Sequence, residues 1–346
     1  MIAEFGAELV GEEIHEKYGS YFPLLLKFLD CDKRLPAHMH PNDAHAARLG
    51  LQDKGKTEAW YIVRAEPGAN AYIGAVPDLT PDKFRAAIES GDAYDGVMNK
   101  VATRTGDTYF VPAGRLHGLD GGNLAFEVQQ NSDAGFGWDW AGFVEAGVIS
   151  PEDADAHPAL AIECAYYEDG PQETTREITI DLDAPAGTVV LNPDKRTLCC
   201  ACQHFVLERW NIRKTHVATD ETPKFNTLTV IGGAMTVTGN GEEVFVRKGE
   251  SILVPAGLEI EIKPQPGTNG GEVEVLRCYV PNLQRDVIGV LRRHGKSDEE
   301  IAWLGSYGQG NDLLPLLGMP QEYFNVTKEQ REKAVEAGKN SRDETF

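Results

Sequence analysis

Two stretches of this sequence repeat one pattern of residue types, 143 residues apart. Residues 106–119 read GDTYFVPAGRLHGL and residues 249–262 read GESILVPAGLEIEI, so that Gly114 aligns with Gly257. Each copy combines a Gly-acid turn, a short apolar strand, a Pro-x-Gly turn and a second strand. A duplicated pattern of short strands and tight turns is typical of two antiparallel barrels built on one plan.

The residues around the two copies support this interpretation. Apolar residues alternate with the two-residue period of strands in runs such as 57–65 and 225–239. Helix start signals, each a Thr or Ser followed by Pro, interrupt the strand pattern at residues 80–81 and 150–151. The sequence therefore predicts a mainly β fold with two barrels and helical insertions.

The strand signal fades after about residue 284. Ser297 with Glu300, and Thr327 with Gln330, have the spacing of helix capping boxes, so we expect a helical C-terminal tail. The passage between the barrels is expected near the Gly and Pro residues of 170–195. The predicted domains are a metal-binding barrel with a helical insertion over 1–185, a second, metal-free barrel over 186–283 and a helical extension over 284–346.

The charge of the chain limits its partners. With 33 Lys+Arg and 54 Asp+Glu, the formal net charge is −21, so no nucleic-acid or membrane partner is expected. No apolar run approaches the roughly 18 residues of a membrane helix, and the sequence shows no signal peptide. The six cysteines include a C-C-x-C cluster at 199–202 without a second pair at zinc-finger spacing, and we expect reduced, mostly buried thiols in a cytoplasmic protein.

The segment HMHPNDAH at 38–45 is the first candidate for chemistry. His38 and His40 would project to the same face of a strand, because side chains alternate with period two. Glu58 begins the next strong strand, and His117 follows the first Pro-x-Gly turn. Three imidazoles and a carboxylate suit one divalent ion of zinc, iron, manganese, cobalt or nickel. The second copy carries Ile260 where the first carries His117, which predicts that only the first barrel binds a metal.

These segments together resemble the type I mannose-6-phosphate isomerases, a family of two-cupin proteins with one metal site. The similarity covers about residues 15–280. It rests on FPLLLKFLDCDKRL at 22–35, HPND at 40–43, GKTEAWYIV at 55–63, GDTYFVPAGRLHGL at 106–119 and EVQQNSD at 127–133.

The resemblance implies a fold, a reaction and a set of site residues. The fold would be two cupin barrels of the double-stranded β-helix, or jelly-roll, type. The reaction would be the conversion of mannose 6-phosphate to fructose 6-phosphate, by an enzyme with one bound metal ion, most simply zinc. The implied metal ligands are His38, His40, Glu58 and His117, and the implied pocket residues are Lys27, Lys56, Glu127 and Asp133.

Four departures separate this chain from the family pattern. His38 replaces a Gln, Pro36 replaces a Ser, and Gly137 stands where the family has an Arg. The N-terminal strands that precede this region in the family are missing from the sequence, so the first barrel would be built differently or the chain would start at an internal Met. Loss of the Arg weakens the case for a phosphate, although Arg292 and Arg293 of the tail are available as replacement cations.

The chemistry of sugar isomerisation can also be argued from the residues. A proton must move between adjacent carbons, and the negative charge on the substrate oxygens must be stabilised by a dication and a nearby cation. Lys56 shares a strand side with Glu58, so it would stabilise an oxyanion or pair with that carboxylate. Glu127 lies opposite an apolar stripe, so it would line a wet pocket and move the proton, or face the barrel exterior.

Several functions fit these observations. The leading interpretation is a metal-dependent aldose–ketose isomerase of the mannose-6-phosphate isomerase type. An isomerase for an unphosphorylated or altered sugar, a metal-dependent cupin of another chemistry, and a non-catalytic sugar-binding protein are alternatives. The loss of the Arg at Gly137 favours an altered sugar or a binding protein, whereas retention of Lys56 and all four ligands argues against the latter.

Overall fold

The computed structural model describes residues 2–167, 174–182, 194–267, 269–306, 310–321 and 324. The capping box predicted at Thr327 and Gln330 lies outside these residues, as does most of the predicted passage between the barrels. Within the described part of the chain, no helix is both long and apolar enough to cross a bilayer.

The chain begins with two short helices, α1 (Ile2–Val10) and α2 (Glu12–Tyr18). These helices precede the first strand of the barrel, in a chain whose sequence lacks the N-terminal strands of the family. The end of α1 lies against the second half of the molecule, because the backbone N–H of Ala256 donates to the carbonyl of Leu9 at 3.0 Å. The N-terminus therefore connects to the far barrel before the chain enters the first.

The first barrel consists of two antiparallel sheets packed face to face. One sheet has the order β1-β8-β3-β6 and the other the order β5-β4-β7-β2-β9. The strands are β1 (Leu24–Cys31), β2 (Leu35–Met39), β3 (Glu58–Ala65), β4 (Asn70–Ala75), β5 (Met98–Ala102), β6 (Thr108–Val111), β7 (His117–Leu119), β8 (Asn123–Gln130) and β9 (Phe136–Gly137).

Helical insertions interrupt this barrel near the predicted start signals. Thr80 caps the helix that starts at Pro81, and Gly91 ends it with a φ of 81°, a left-handed conformation that favours glycine. Ser150 caps the helix that starts at Pro151 in the same way. The four helices are α3 (Asp43–Arg48), α4 (Pro81–Ser90), α5 (Ala141–Glu145) and α6 (Pro151–Cys164).

The second barrel repeats the two-sheet plan. Its sheets have the orders β10-β11-β12-β19-β14-β17 and β13-β18-β15-β16. The strands are β10 (Ile178–Asp181), β11 (Lys195–Ala201), β12 (Val206–Ile212), β13 (His216–Ala218), β14 (Asn226–Gly232), β15 (Ala234–Gly239), β16 (Glu242–Arg247), β17 (Ser251–Val254), β18 (Ile260–Pro264) and β19 (Val273–Tyr279). A short 3₁₀ turn, Asn269–Gly271, precedes β19. Strand β10 pairs with β11 although it precedes residue 185, so the sheet of the second barrel starts before the expected boundary.

Helical turns follow the second barrel, as expected for the region after residue 284. A π-helical turn, Leu283–Gly289, leads into α7 (Val290–Arg293), α8 (Asp298–Ala302), a 3₁₀ turn at Trp303–Gly305, and α9 (Leu313–Leu316). The predicted capping box at Ser297 and Glu300 forms at the start of α8. The predicted fold class is confirmed: the chain is mainly β, with helical insertions and C-terminal helices.

A shared hydrophobic core joins the two barrels. Phe110 and Phe126 of the first barrel, Phe205 and Leu276 of the second, and Leu9 of α1 belong to one buried cluster. The C-C-x-C cysteines lie in this cluster, where burial raises the pKa of each thiol. All six cysteines are free thiols, and the cytoplasmic location inferred from them stays a prediction.

Candidate metal centre and sugar site

Three histidines converge inside the first barrel. His38 lies on β2 and pairs with His117 of β7 across the sheet, and His40 follows directly after β2. The Nε2 atoms of His38 and His117 are 3.0 Å apart. One ligand atom from each of the three residues lies within 4.8 Å of the others, a separation that a single ion can bridge. Within the described residues, these three histidines are the side chains whose ligand atoms lie close enough together to hold one metal ion.

The backbone fixes the orientation of each ring. The Nδ1 atoms of His38, His40 and His117 lie 2.8 Å from the carbonyl oxygens of Pro36, Ala134 and Arg115, respectively. A carbonyl only accepts, so each Nδ1 carries the proton and each Nε2 presents a lone pair to the centre. Metal-binding histidines are oriented by the same kind of second hydrogen bond.

Glu58 completes the set of donors from the first residue of β3. Its Oε2 lies 3.2 Å from His40 Nε2, and its Oε1 lies 3.4 Å from His117 Nε2. The carboxylate is buried, and neither oxygen accepts a hydrogen bond of good geometry, although Lys56 Nζ approaches Oε2 at 2.9 Å. A buried carboxylate with unsatisfied oxygens, facing three imidazole lone pairs, is costly unless a cation is present. The residues therefore fit the divalent ion that the family implies.

The protonation states of the three histidines and of Glu58 are those required for binding a metal. Burial lowers the pKa of His38, His40 and His117 to about 3, so all three imidazoles are neutral at pH 7. Burial alone would raise the pKa of Glu58, but its neighbours, above all the Lys56 ammonium, outweigh burial and hold that pKa well below its usual range. Neutral imidazoles and an ionised carboxylate are the states that bind a metal.

Lys56 lies at the edge of this centre. Its Nζ is 3.1 Å from His40 Nε2, 2.9 Å from Glu58 and 4.0 Å from Glu127. Burial would lower the pKa of Lys56, but the two carboxylates raise it above its ordinary value, so the ammonium is charged. The Nε2 lone pair of His40 can accept a hydrogen bond from Lys56 or bind a metal ion, but not both. A bound metal would therefore leave the ammonium free to contact a substrate.

Glu127 is buried on β8 beside Lys56, and does not face the barrel exterior. Its Oε2 accepts a hydrogen bond from Trp60 Nε1 at 3.2 Å. Burial, and after it the negative charge of Glu58, raises the pKa of Glu127 above its ordinary value. The positive charges of Lys56 and Lys27 lower it, but by less. A carboxyl group with a raised pKa next to a cationic site is suited to proton exchange.

The two remaining predicted pocket residues differ in placement. Lys27 lies on β1 directly opposite Glu127, 3.4 Å from its Oε1, and donates to Gln129 Oε1 at 2.7 Å. Its side chain is 35% exposed, so it faces the mouth of the site. Asp133 is exposed, and its backbone N–H donates to Asp53 Oδ2. The structure therefore groups Lys27 with the centre. The described Asp133 side chain makes no hydrogen bond or ion pair there, but its charge contributes to the raised pKa of Lys56.

Gly137 marks the clearest departure from the family pattern. It pairs with His38 across β2 and β9, so a side chain here would lie beside a metal ligand. A Cβ at Gly137 would be 2.3 Å from the indole Cε2 of Trp140, so the tryptophan ring occupies that space. Trp140 is held in turn by a hydrogen bond from its Nε1 to His157 Nδ1 at 3.1 Å.

The cations suggested as replacements for the missing Arg lie elsewhere. Arg292 forms a two-point ion pair with Asp298 at 2.8 and 2.9 Å. Arg293 borders a cavity in the second barrel. Neither supplies a cation at the first barrel in this structure, so that suggestion from the sequence is wrong.

Sequence reasoning missed two residues that shape the site, Trp60 and Trp140. Trp60 shares the strand side of Lys56 and Glu58, and the two-residue period of the strand could have indicated it. Gln129, which the same period places on the side of Glu127, is fully buried. Trp140 gave no signal, because it lies in a turn that folds back over Gly137 and no periodic pattern specifies such a contact.

Comparisons with known proteins agree with this geometry. Residues 194–263 match the family model described as mannose-6-phosphate isomerase, cupin domain. The chain is 30% identical over 242 residues to the protein named mannose-6-phosphate isomerase ManA of Bacillus subtilis, a match that covers 69% of this chain and 71% of that protein. The chain belongs to the type I mannose-6-phosphate isomerase family. The resemblance predicted from the sequence is thereby confirmed.

Further relatives extend this result. A stretch of 115 residues is 41% identical to the B. subtilis protein named Probable mannose-6-phosphate isomerase GmuF, over 33% of this chain and 36% of that protein. The crystal structure of the mannose 6-phosphate isomerase from B. subtilis superposes with a TM-score of 0.63 at 25% identity, and the match covers 80% of each chain. The mannose-6-phosphate isomerase family consists of metal-dependent sugar isomerases, so the predicted enzyme class and metal dependence are confirmed at the level of the family.

Proposed function

We propose that this chain is a metal-dependent aldose–ketose isomerase that converts mannose 6-phosphate to fructose 6-phosphate. The observation that carries the proposal is the convergence of three Nε2 lone pairs and the buried Glu58 carboxylate, next to the Lys56–Glu127 pair. Ligands for a dication and a pair of groups for proton movement thus lie in one buried site, which is what isomerisation needs.

His38, His40, Glu58 and His117 would hold the metal ion. Such an ion, when bound, acts as a Lewis acid that stabilises negative charge on the sugar oxygens. Zinc is the ion we propose, because imidazole nitrogen and carboxylate oxygen form its usual ligand set, although iron, manganese, cobalt and nickel accept the same donors.

Glu127 and Lys56 would carry the proton chemistry. Glu127 is buried and has a raised pKa, so its carboxylate can take the proton next to the sugar carbonyl and return it to the neighbouring carbon. Lys56 keeps its charge and lies between Glu58 and Glu127, where it stabilises the substrate oxyanion as the proton moves. Lys27 opposes Glu127 at the mouth and would hold a polar group of the substrate.

A second candidate substrate is an aldose that depends less on its phosphate. Trp140 fills the space beside His38 where the family has a cationic Arg, and Pro36 lacks the hydroxyl of a Ser. A phosphate gains roughly 1.5–3 kcal/mol from each hydrogen bond to a charged donor. Losing these donors would weaken phosphate binding by about 10–10³-fold, at 1.4 kcal/mol per factor of ten.

A comparison of kcat/KM for mannose 6-phosphate, free mannose and related aldoses tests both candidates. Ketose formation from any of them, abolished by a chelator, supports the isomerase proposal. If mannose 6-phosphate is preferred by more than about a thousandfold, the altered-sugar candidate is wrong and Lys27 or another cation replaces the Arg. No ketose from any aldose, with the metal bound, would overturn the isomerase proposal.

The variant Gly137→Arg is less informative than Trp140→Ala, because an Arg at 137 would clash with the indole ring. Trp140→Ala opens that space without adding a side chain at 137. If the ring determines sugar choice, this change alters the ratio of kcat/KM for phosphorylated and free mannose. The matched control is Trp303→Ala, since Trp303 lies in the C-terminal helical region.

A further inference from the structure

The strand pairing aligns the two barrels residue by residue. Val111 and Val254 occupy the same position of the two repeated segments, 143 residues apart. Glu58 pairs with Val111 and Asn226 pairs with Val254, so Glu58 and Asn226 are equivalent. The same comparison along neighbouring strands defines further equivalent pairs. These are Lys56 with Lys224, Glu58 with Asn226, Glu127 with Arg277, Lys27 with Glu208, His38 with Ala218 and His117 with Ile260.

The second barrel thus lacks the residues equivalent to His38 and His117. It has polar or charged residues at the positions equivalent to Lys27, Lys56, Glu58 and Glu127. Ala218 and Ile260 replace imidazoles, so the wall that would coordinate an ion is apolar. Lys224 is a lysine at the position equivalent to Lys56. Glu208 and Arg277 form an ion pair in which the acidic and the basic residue have changed places relative to Lys27 and Glu127. A barrel with only a supporting role would gain more stability from apolar residues here, because buried ion pairs are often less stabilising than well-packed apolar residues.

The polar groups of the second barrel form one connected network. Arg277 donates to Asn226 Oδ1 at 2.8 Å and to Asp220 Oδ1 at 2.6 Å, and it lies 3.3 Å from Glu208 Oε2. Lys224 is held more loosely, because its shortest contacts are 3.3 Å to the carbonyl of Thr222 and 3.4 Å to Asp220. Charge-assisted hydrogen bonds are typically about 2.7–2.9 Å long, so this buried ammonium has capacity for a closer partner.

These groups line a cavity of about 450 Å³, within the size range of small-molecule sites, roughly 300–1,000 Å³. Its lining contains five cations and three carboxylates. Two further carboxylates lie outside the lining, where Glu208 pairs with Arg196 and Arg277 and Glu13 pairs with Arg285, so Lys224 and Arg293 are the more weakly paired cations of the cavity. Three carboxylates face the cavity, Asp220, Glu221 and Asp286, and Glu208 lies behind Arg277. The five cations of the lining are Arg196, Lys224, Arg277, Arg285 and Arg293.

We propose that this cavity is a second, metal-independent binding site for an anionic sugar-sized ligand, such as a sugar phosphate or a sugar carboxylate. The anionic group would bind Lys224 and Arg293, whose ion pairs with other described residues are 3.4 Å or longer. The hydroxyl groups would bind Asp220 and Asn226, and the apolar wall that includes Ile260 would contact the carbon skeleton. This inference concerns a different site from the isomerase centre and does not depend on it.

Calorimetric titration of the full chain in the presence of a chelator tests the proposal. The probes are fructose 6-phosphate, gluconate, free fructose and inorganic phosphate. We expect fructose 6-phosphate or gluconate to bind, and free fructose and inorganic phosphate to bind at least about tenfold more weakly, because each satisfies only part of the site. No binding of either anionic sugar at millimolar concentration overturns the proposal, and so does equally tight binding of inorganic phosphate.

The lysines at equivalent positions provide a matched pair of variants. Lys224→Met should weaken binding by about ten- to a hundredfold, the usual effect of losing a hydrogen bond to a charged donor, while Lys56→Met should leave it unchanged. The opposite pattern would place the ligand in the first barrel and overturn the proposal, without touching the isomerase function.

A variant at the exposed edge of the cavity tests whether weaker binding is caused by loss of a contact rather than by unfolding. Arg293 is 57% exposed, and its ion pair within the described part of the chain is a 3.9 Å contact with Glu221, so Arg293→Ala is expected to fold normally. It should weaken binding of the anionic sugars at least about fivefold at an unchanged melting temperature. Arg247→Ala, at an exposed position on the outer strand β16, is the control. Equal affinity of both variants and the unmodified chain would contradict the proposed role of Arg293 and the site with it.

Discussion

Replacing Glu208 by Gln should destabilise the protein, and the loss should be larger at neutral than at acid pH. The Glu208 carboxylate is fully buried in the second barrel and contacts four donors. Arg196 Nη2 lies at 2.5 Å, Trp210 Nε1 at 2.8 Å, Tyr279 Oη at 2.9 Å and Arg277 Nη1 at 3.3 Å. A neutral amide cannot balance the charge of the two guanidinium groups.

The magnitude follows from the pKa and the burial. Burial would raise the pKa of Glu208, but Arg196 and Arg277 outweigh it and lower the pKa from 4.5 to about 2. Because the folded pKa is depressed, the ionised carboxylate contributes stability that is present above pH ~4.5 and lost as the pH falls towards ~2. At about 1.36 kcal/mol per pKa unit, the difference corresponds to about 3 kcal/mol. Removing one partner of a buried ion pair generally costs about 3–5 kcal/mol.

Urea unfolding followed by tryptophan fluorescence measures this loss. We expect Glu208→Gln to lower the free energy of unfolding by about 3–5 kcal/mol at pH 7, and by about 1 kcal/mol less at pH 4. The exposed variant Glu250→Gln is the control and should change it by no more than about 0.5 kcal/mol. A Gln variant as stable as the unmodified chain at pH 7, or a deficit that grows on acidification, would refute the reasoning.

Three further predictions concern the two barrels. Glu127→Gln should lower kcat for the best aldose by about 10²–10⁴-fold at unchanged metal content, and a kcat within threefold of the unmodified enzyme would exclude its role in proton transfer. His117→Ala should remove most of the bound metal, measured by elemental analysis of dialysed protein, while the circular dichroism spectrum is retained; full metal content would show that His117 is not a ligand. Ile260→Ala should cost about 2–5 kcal/mol of unfolding free energy, because it empties a buried position, with kcat per folded molecule unchanged. A selective loss of turnover at full stability would connect the second barrel to catalysis.

The sequence predicted the features that depend on short-range periodicity. The repeated Pro-x-Gly segments indicated two barrels, and the two-residue period placed Lys56 and Glu58 on one side of a strand. His38, His40 and His117 meet because β2 and β7 pair antiparallel, a pairing that the structure shows and the sequence did not specify. The same signals sufficed for the helix starts at Thr80 and Ser150, where a capping side chain is local to the helix it stabilises.

Features that depend on contacts distant in sequence were not predicted. The two N-terminal helices were not predicted, because their apolar residues, such as Leu9, are buried against residues of both barrels that are distant in sequence. Trp140 displaces any side chain at Gly137 through a turn that has no sequence signature. The charged network around Arg277 also escaped notice, because only the strand register shows that its members, spread over residues 196–286, line one cavity.

We propose that the first barrel isomerises an aldose by means of a metal held at His38, His40, Glu58 and His117. The most direct test is the rate of fructose 6-phosphate formation from mannose 6-phosphate by protein stripped with a chelator, before and after addition of one equivalent of zinc per chain. We expect no turnover by the stripped protein, complete recovery at one equivalent of zinc, and no recovery in the His117→Ala variant. Undiminished turnover by the fully stripped protein, or equal recovery in His117→Ala, would contradict it.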